Sequence, residues 1–102
     1  MTLITNPGAV SVATTDYPDI QFDASPILNP GETITAATVR VQSADFTRQI
    51  ALPDSPSFTA TSVSQLVKGS LLTAGSLYRL IWILTLSSGD VISQQTSCQV
   101  PY

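Results

Sequence analysis

Apolar and polar residues alternate along much of this chain, with the period of two that is typical of β-strands. The clearest example is residues 77–86, where an extended backbone places Tyr78, Leu80, Trp82 and Leu84 on one face. The alternation continues over these ten residues, and none of them follows helical spacing. This pattern indicates a central, half-buried strand. We therefore expect these four side chains to form the centre of the core.

Other segments show weaker strand patterns, and Pro, Gly, Asn or Ser residues separate them. In residues 33–42 the apolar phase switches between Ile34 and Val39, which predicts a β-bulge at Ala36 and Ala37. About seven strands at intervals of about 8–12 residues are typical of a β-sandwich. The predicted strands lie at residues 9–12, 17–23, 33–42, 46–52, 61–67, 77–86 and 91–100.

The predicted fold is all-β, a single immunoglobulin-like or fibronectin III-like β-sandwich. We assign residues 16–102 to the sandwich and residues 1–15 to an N-terminal arm or edge strand. The spacing of Leu72, Gly75 and Tyr78 is that of a tyrosine corner, in which the Tyr hydroxyl bonds to backbone just upstream. The alternative is that Tyr78 is simply another core aromatic.

The alternation that turns Trp82 inward turns Ile81 and Ile83 outward, onto a face that is normally solvated. Two adjacent large aliphatic residues there suggest that something covers them. One hypothesis is a neighbouring subunit. The other is the protein's own N-terminal arm, which carries Leu3, Ile4, Val10 and Val12. The terminal Tyr102 is expected to cap the last strand or to dock on a neighbour.

Charge is scarce, and its scarcity excludes several kinds of partner. Only 11% of the residues are charged, the four Lys and Arg residues are scattered, and the net charge is -3, so no basic stripe for nucleic acid exists. The N-terminus lacks the basic region of a signal peptide, and no apolar run approaches the roughly 20 residues of a membrane-spanning helix. We expect a soluble protein made in the cytoplasm, with no membrane partner.

Candidate chemistry is sparse, and we predict no catalytic residues, metal site or cofactor. The chain has no histidine, which removes the commonest general base and metal ligand. Cys98 lies in an alternating strand and is expected to be a small buried hydrophobe. Asp16, Asp19 and Asp23 could supply oxygen ligands to calcium, but their spacing is not that of an EF-hand, and Asp is also common in turns.

Residues 22–34, with the sequence FDASPILNPGETI, resemble the opening of a family of small tailed-phage proteins described as fiber–tail adaptors. The family pattern has Asp, a Trp-Ser pair, a Trp-Leu pair, and then Gly-acid-Thr-Ile before an outer strand. Ala24 and Ile27 stand here where that pattern has tryptophan. The matching residues are Asp23, Ser25, Leu28, Gly31, Glu32, Thr33 and Ile34.

This resemblance extends over about residues 16–100 and implies an immunoglobulin-like, non-enzymatic virion component. It implies an adaptor that joins a tail, neck or portal structure to a fiber, in multiple copies in a symmetric assembly. Capsid decoration and another tail or baseplate ornament are the alternatives. A host-surface or carbohydrate-binding module is a further one, although only Tyr17 and Tyr102 are candidates for the exposed loop aromatics that such a module needs.

Overall fold

A computed structural model gives the fold of the chain. It describes residues 2–5, 8–45 and 47–102, the first four by their backbone alone. This part of the chain contains nine β-strands and two short 3-10 helices, Ser25–Ile27 and Gly69–Leu71. The strands are β1 (Thr2–Thr5), β2 (Ala9–Ser11), β3 (Asp19–Asp23), β4 (Ile34–Ser43), β5 (Gln49–Ile50), β6 (Ser57–Phe58), β7 (Ser62–Leu66), β8 (Leu77–Leu86) and β9 (Val91–Gln99).

The strands form two sheets, and the prediction of an all-β sandwich is confirmed. One sheet has four strands in the order β1-β3-β7-β6, and the other has five in the order β2-β9-β8-β4-β5. With β3, β4, β6, β7, β8 and β9 taken as strands B, C, D, E, F and G, this is the immunoglobulin order of ABED against CFG. β1 and β2 each pair in parallel at a sheet edge, β1 with β3 and β2 with β9.

β8 is the central strand of the larger sheet, and its boundaries are those predicted from the sequence. It pairs with β4 on one side and with β9 on the other. Tyr78, Leu80, Trp82, Leu84 and Leu86 are buried, while the residues between them are half-buried. The strict alternation of its sequence therefore separates a core face from an outer face.

The bulge in β4 lies one position before the predicted site. The register with β8 shifts between Ile34 and Ala36, which leaves Thr35 as the extra residue, and not Ala36 or Ala37. The Thr35 hydroxyl donates a hydrogen bond of 3.1 Å to the carbonyl of Thr85. A hydroxyl that can bond across the bulge explains why the extra residue is Thr35.

Trp82 and Phe22 join the two sheets at the centre of the core. Trp82 on β8 and Phe22 on β3 are fully buried, and their ring centroids are 5.5 Å apart in a tilted arrangement. The indole Nε1–H of Trp82 donates to Oγ1 of Thr96 on β9 at 2.9 Å. The largest core side chain is thus packed against the opposite sheet and has its one polar group satisfied.

Tyr78 lies at the start of β8 and makes the contact that defines a tyrosine corner. Its hydroxyl accepts a hydrogen bond of 2.9 Å from the backbone N–H of Thr73. Leu80, two residues later, occupies the place where antibody domains carry the second cysteine of the disulfide between their sheets. It is fully buried. Apolar packing therefore replaces the covalent link at this position.

Several strands differ from the sequence prediction. The predicted strand over residues 46–52 contains only the two-residue β5, and β6 was not predicted. The N-terminal segment contributes an edge strand to each sheet. No helix in the described part of the chain is long and apolar enough to cross a membrane.

We expect Thr96→Val to destabilise the fold by about 1–3 kcal/mol, because the buried Trp82 N–H loses its acceptor without a change of shape. Urea denaturation would measure the loss. Thr38→Val is the matched control on the exposed side of β4, with an expected change within about 0.5 kcal/mol. Equal unfolding free energies for the two variants would contradict the assignment of this hydrogen bond.

Candidate interaction surfaces

The outer face of the five-stranded sheet presents Ile81 and Ile83 at its centre. Ile81 lies between Arg40 on β4 and Gln95 on β9, and Ile83 lies between Thr38 and Ser93. Directly opposed residues share a face of the sheet. We call this surface the Ile81–Ile83 face and define it by Thr38, Arg40, Arg79, Ile81, Ile83, Ser93 and Gln95.

Ile81 and Ile83 are half-buried by their own strand neighbours. The only charged groups on the Ile81–Ile83 face are the guanidinium groups of Arg40 and Arg79, and its other polar members are Thr, Ser and Gln. Such a surface combines an apolar centre with a polar surround that includes two cations. This is the composition that protein–protein interfaces have at their core and rim.

The described residues of the N-terminal segment do not cover the Ile81–Ile83 face, so that hypothesis is corrected for them. Val10 is opposite Cys98 on the inward side of β9, and Val10 and Val12 are both buried in the core. Neither residue is therefore a surface contact while the fold is intact. Leu3 and Ile4 belong to β1 in the other sheet, opposite Ile20 and Gln21.

The motif around Asp23 shapes the loop that follows β3. The Asp23 carboxylate accepts hydrogen bonds from the hydroxyl and the backbone N–H of Ser25, at 2.8 and 3.1 Å. These two bonds, the hydroxyl's first, lower the pKa of Asp23. They also turn the chain into the helix Ser25–Ile27. Ala24 beside them is fully buried, and Leu28 packs against the core.

Glu32 ties this loop to the turn between β8 and β9. Its carboxylate accepts hydrogen bonds from the Ser88 hydroxyl at 2.6 Å and from the backbone N–H of Asn29 at 3.1 Å, and both lower its pKa. Gly31 allows the tight turn before it, because its φ of 80° is in the left-handed region that favours glycine. The Glu32 carboxylate therefore connects two loops at one end of the sandwich.

Thr33 and Ile34 complete the same connection. The Thr33 N–H donates to the Ser87 hydroxyl at 3.0 Å, and the Ser87 N–H donates to the Thr33 carbonyl at 2.8 Å. Ile34 is buried, and its N–H donates to the carbonyl of Ala60. The seven motif residues thus build and fix loops, and they leave only a shallow groove of about 310 Å³ beside Glu32 and Ser88.

At the opposite end, Tyr102 lies against Gly75. A Cβ atom on Gly75 would be 2.4 Å from the Tyr102 ring, so only glycine permits this approach. Tyr102 and Leu77 are exposed and line a groove of about 330 Å³. Tyr102 therefore follows the end of β9 as a surface aromatic residue.

The titratable side chains that the sequence offers as candidates for chemistry, three aspartates and one cysteine, do not lie together at one site. Asp19 and Asp23 stand at opposite ends of β3, while Asp16 accepts the backbone N–H of Ala13 in a turn. The described residues include no group of three or more potential metal ligands. Burial raises the pKa of the Cys98 thiol to about 11, as expected of a core residue.

Phe58 is a surface residue that the sequence pattern did not single out. It is 45% exposed on the two-residue edge strand β6. The exposure of its side chain depends on how β6 lies relative to β4 in the folded chain. The sequence around Phe58 does not reveal this arrangement.

Comparison with protein-family models decides the family. Residues 13–99 match the model described as podophage GP4 fiber-tail adaptor protein gp77. The chain belongs to this family of fiber-tail adaptors. Membership confirms the resemblance found in the sequence and makes the chain a structural component of a phage virion. No curated protein and no solved structure gave a match.

The segment matched to the fiber-tail adaptor family contains β3 to β9, which are the six strands of the ABED and CFG pattern other than A, and the short β5. β1 and β2 lie outside it. The Ile81–Ile83 face and the motif loops both fall within the matched segment. Both surfaces therefore belong to the part of the chain that defines its family.

We expect Ser88→Ala to raise the pKa of Glu32 toward its ordinary value, because the carboxylate loses its strongest hydrogen bond. NMR titration of the Glu32 side chain would measure it, with Ser70→Ala as control. The group's pKa is lowered by folding, so the extra stability of the wild type is present above the unfolded pKa. It disappears as the pH falls through the folded pKa. An unchanged Glu32 titration in Ser88→Ala would contradict the assignment.

Proposed function

We propose that this protein is a non-enzymatic adaptor that joins a tail, neck or portal component of the virion to a fiber through protein–protein contacts. The observation that carries the proposal is the family match over residues 13–99. Several copies act together in a symmetric assembly, as fits a small subunit with more than one candidate contact surface.

The bonding of the polar groups supports a structural role without catalysis. The carboxylates of Asp23 and Glu32 hold loops, and Asp45 accepts hydrogen bonds from Ser43 and Thr47 that lower its pKa to about 2. These acids are fixed as acceptors in turns. A general acid or base needs a pKa near the working pH, and these shifts go in the other direction.

The Ile81–Ile83 face is the proposed contact surface with a neighbouring virion subunit. Ile81 and Ile83 are already half-buried, so covering the exposed part of each contributes less than the roughly 1.5–3 kcal/mol of burying a fully exposed aliphatic side chain. Ile81 and Ile83 are adjacent, and the sheet beneath them holds them rigidly. A preformed surface loses little conformational entropy on binding, which favours a stable joint.

We expect the double change Ile81→Ser and Ile83→Ser to preserve the fold and to weaken assembly. Both side chains lie on the outer face, so the core is unaltered. The variant would be supplied to phage lacking the gene, and its amount in purified particles would be quantified. Loss of the apolar contact should reduce incorporation by about tenfold or more, since each 1.4 kcal/mol corresponds to a factor of ten.

The control is Leu66→Ser, which removes a side chain that is 39% exposed on the outer face of the other sheet. Thermal unfolding would verify that all variants fold. Wild-type incorporation of the double variant would contradict the assignment of this face. Localisation of the wild-type protein on the head instead of the tail would contradict the adaptor role and favour capsid decoration.

A further inference from the structure

The outer edge of β4 contains a gap in strand pairing. β4 pairs with β8 along its length, whereas β5 opposes only Val41 and Gln42. At the other end, the N–H of Ile34 bonds to the carbonyl of Ala60. Between these limits, Thr35 is the bulged residue and residues 36–40 pair with β8 alone among the described residues. We call residues 35–40 the edge window.

The edge window has the length of a short strand. Six residues at about 3.4 Å each extend over about 20 Å. An edge strand offers N–H and C=O groups to any extended backbone, and proteins commonly block such edges with Lys or Pro. The window sequence, TAATVR, contains neither. The β-bulge at Thr35 and the charge of Arg40 lie at the two ends of the window, so residues 36–39 are the part that lacks such protection.

An exposed aromatic residue lies beside the edge window. β6 contacts β4 across the opening between the sheets. Phe58 on β6 is opposite Val63, whose side chain is fully buried, so Phe58 shares the inward face of its sheet. It is nevertheless 45% exposed, because it lies at the opening. An apolar side chain entering beside β4 would meet Phe58 and the half-buried Val39.

Arg40 is the single charged residue of the edge window. Its side chain is exposed. The chain has only four Lys and Arg residues and a net charge of -3, and Arg40 is the one cation within the window. A segment with an Asp or Glu opposite Arg40 would gain a cross-strand pair of about 0.2–1 kcal/mol.

We propose that the edge window binds an extended segment of a different virion protein by strand addition. The segment pairs with the backbone of residues 35–40, places an apolar side chain against Phe58, and carries an acidic residue near Arg40. In strand addition, backbone bonds supply affinity and alternate side chains supply specificity. This inference rests on the proposed adaptor function and names the chemistry of one partner.

A second copy of this chain fits the edge window less well. β4 has ten residues, which exceeds the six of the window, and its own β5 occupies the same edge. Pairing β4 with β4 of a second copy would bring the β5 of each copy against Ile34 and Ala60 of the other. An independent extended segment meets no such obstruction.

The first test replaces Phe58 with the photo-reactive residue p-benzoylphenylalanine in the full chain and supplies it to phage lacking the gene. Purified particles are irradiated, and cross-linked peptides are identified by mass spectrometry. We expect cross-links to one short segment of another virion protein. The same replacement at Leu66, on the outer face of the other sheet, should not reach that segment.

The second test uses charge reversal, with cross-linking from position 58 as the readout. Arg40→Glu should lower the yield several-fold, and Lys68→Glu, an exposed change of equal charge outside the window, should not. Arg40 is also a member of the Ile81–Ile83 face, so its substitution could act through that face. Rescue by an acid-to-lysine change in the mapped segment would therefore locate the effect at the window.

Four results would overturn the inference or part of it. Cross-links from position 58 only to another copy, or none in particles that contain the protein, would refute it while leaving the adaptor function intact. Equal yields for Arg40→Glu and Lys68→Glu would refute the charged contact. Absence of the wild-type protein from the tail would refute both this inference and the proposed function.

Discussion

Trp82 packs against Phe22 across the space between the two sheets, and the surfaces of the molecule depend on that contact. β8 has an aliphatic or aromatic residue at most positions, so burial alone does not choose which of its faces turns inward. The tilted contact between the two rings and the hydrogen bond from Trp82 to Thr96 favour the face of β8 that carries Trp82 as the inward face. Once Trp82 is inside, Ile81 and Ile83 must be outside. The same core contact thus creates the candidate interface.

The local pattern of apolar and polar residues is sufficient to predict a strand and its bounds where the strand is long and its alternation is strict. The predicted bounds of β8 are those of the structure. The predicted bulge in β4, at the small residues Ala36 and Ala37, is one position late, because the bulged residue is Thr35, whose hydroxyl bonds to β8. β5 and β6 have two residues each and exist only because long neighbours hold them. Val10 was assigned to a surface because its partner, Cys98, is nearly ninety residues away, and short-range alternation cannot reveal such a parallel pair.

The few charged groups are concentrated in the loops, and this explains how so neutral a chain keeps a defined shape. Asp23, Glu32 and Asp45 each accept two or more hydrogen bonds from hydroxyl or backbone donors, and each has a lowered pKa as a result. A carboxylate in a turn fixes the backbone more firmly than a neutral acceptor, because charge-assisted hydrogen bonds are stronger. The broad outer face of the larger sheet is left with mostly neutral side chains, which cost less to desolvate when a partner binds.

The two proposed contact surfaces, the Ile81–Ile83 face and the edge window, belong to the same sheet but would bind by different means. The face offers side chains and suits a folded neighbour, whereas the window offers backbone and suits an extended segment. The two share Thr38 and Arg40, which lie opposite Ile83 and Ile81. A partner on the face would approach perpendicular to the sheet, and a partner at the window would approach in its plane, so the two directions of approach differ. The proposed adaptor role requires contacts with two components, and one broad face with one partly unpaired edge would supply both within a single small domain.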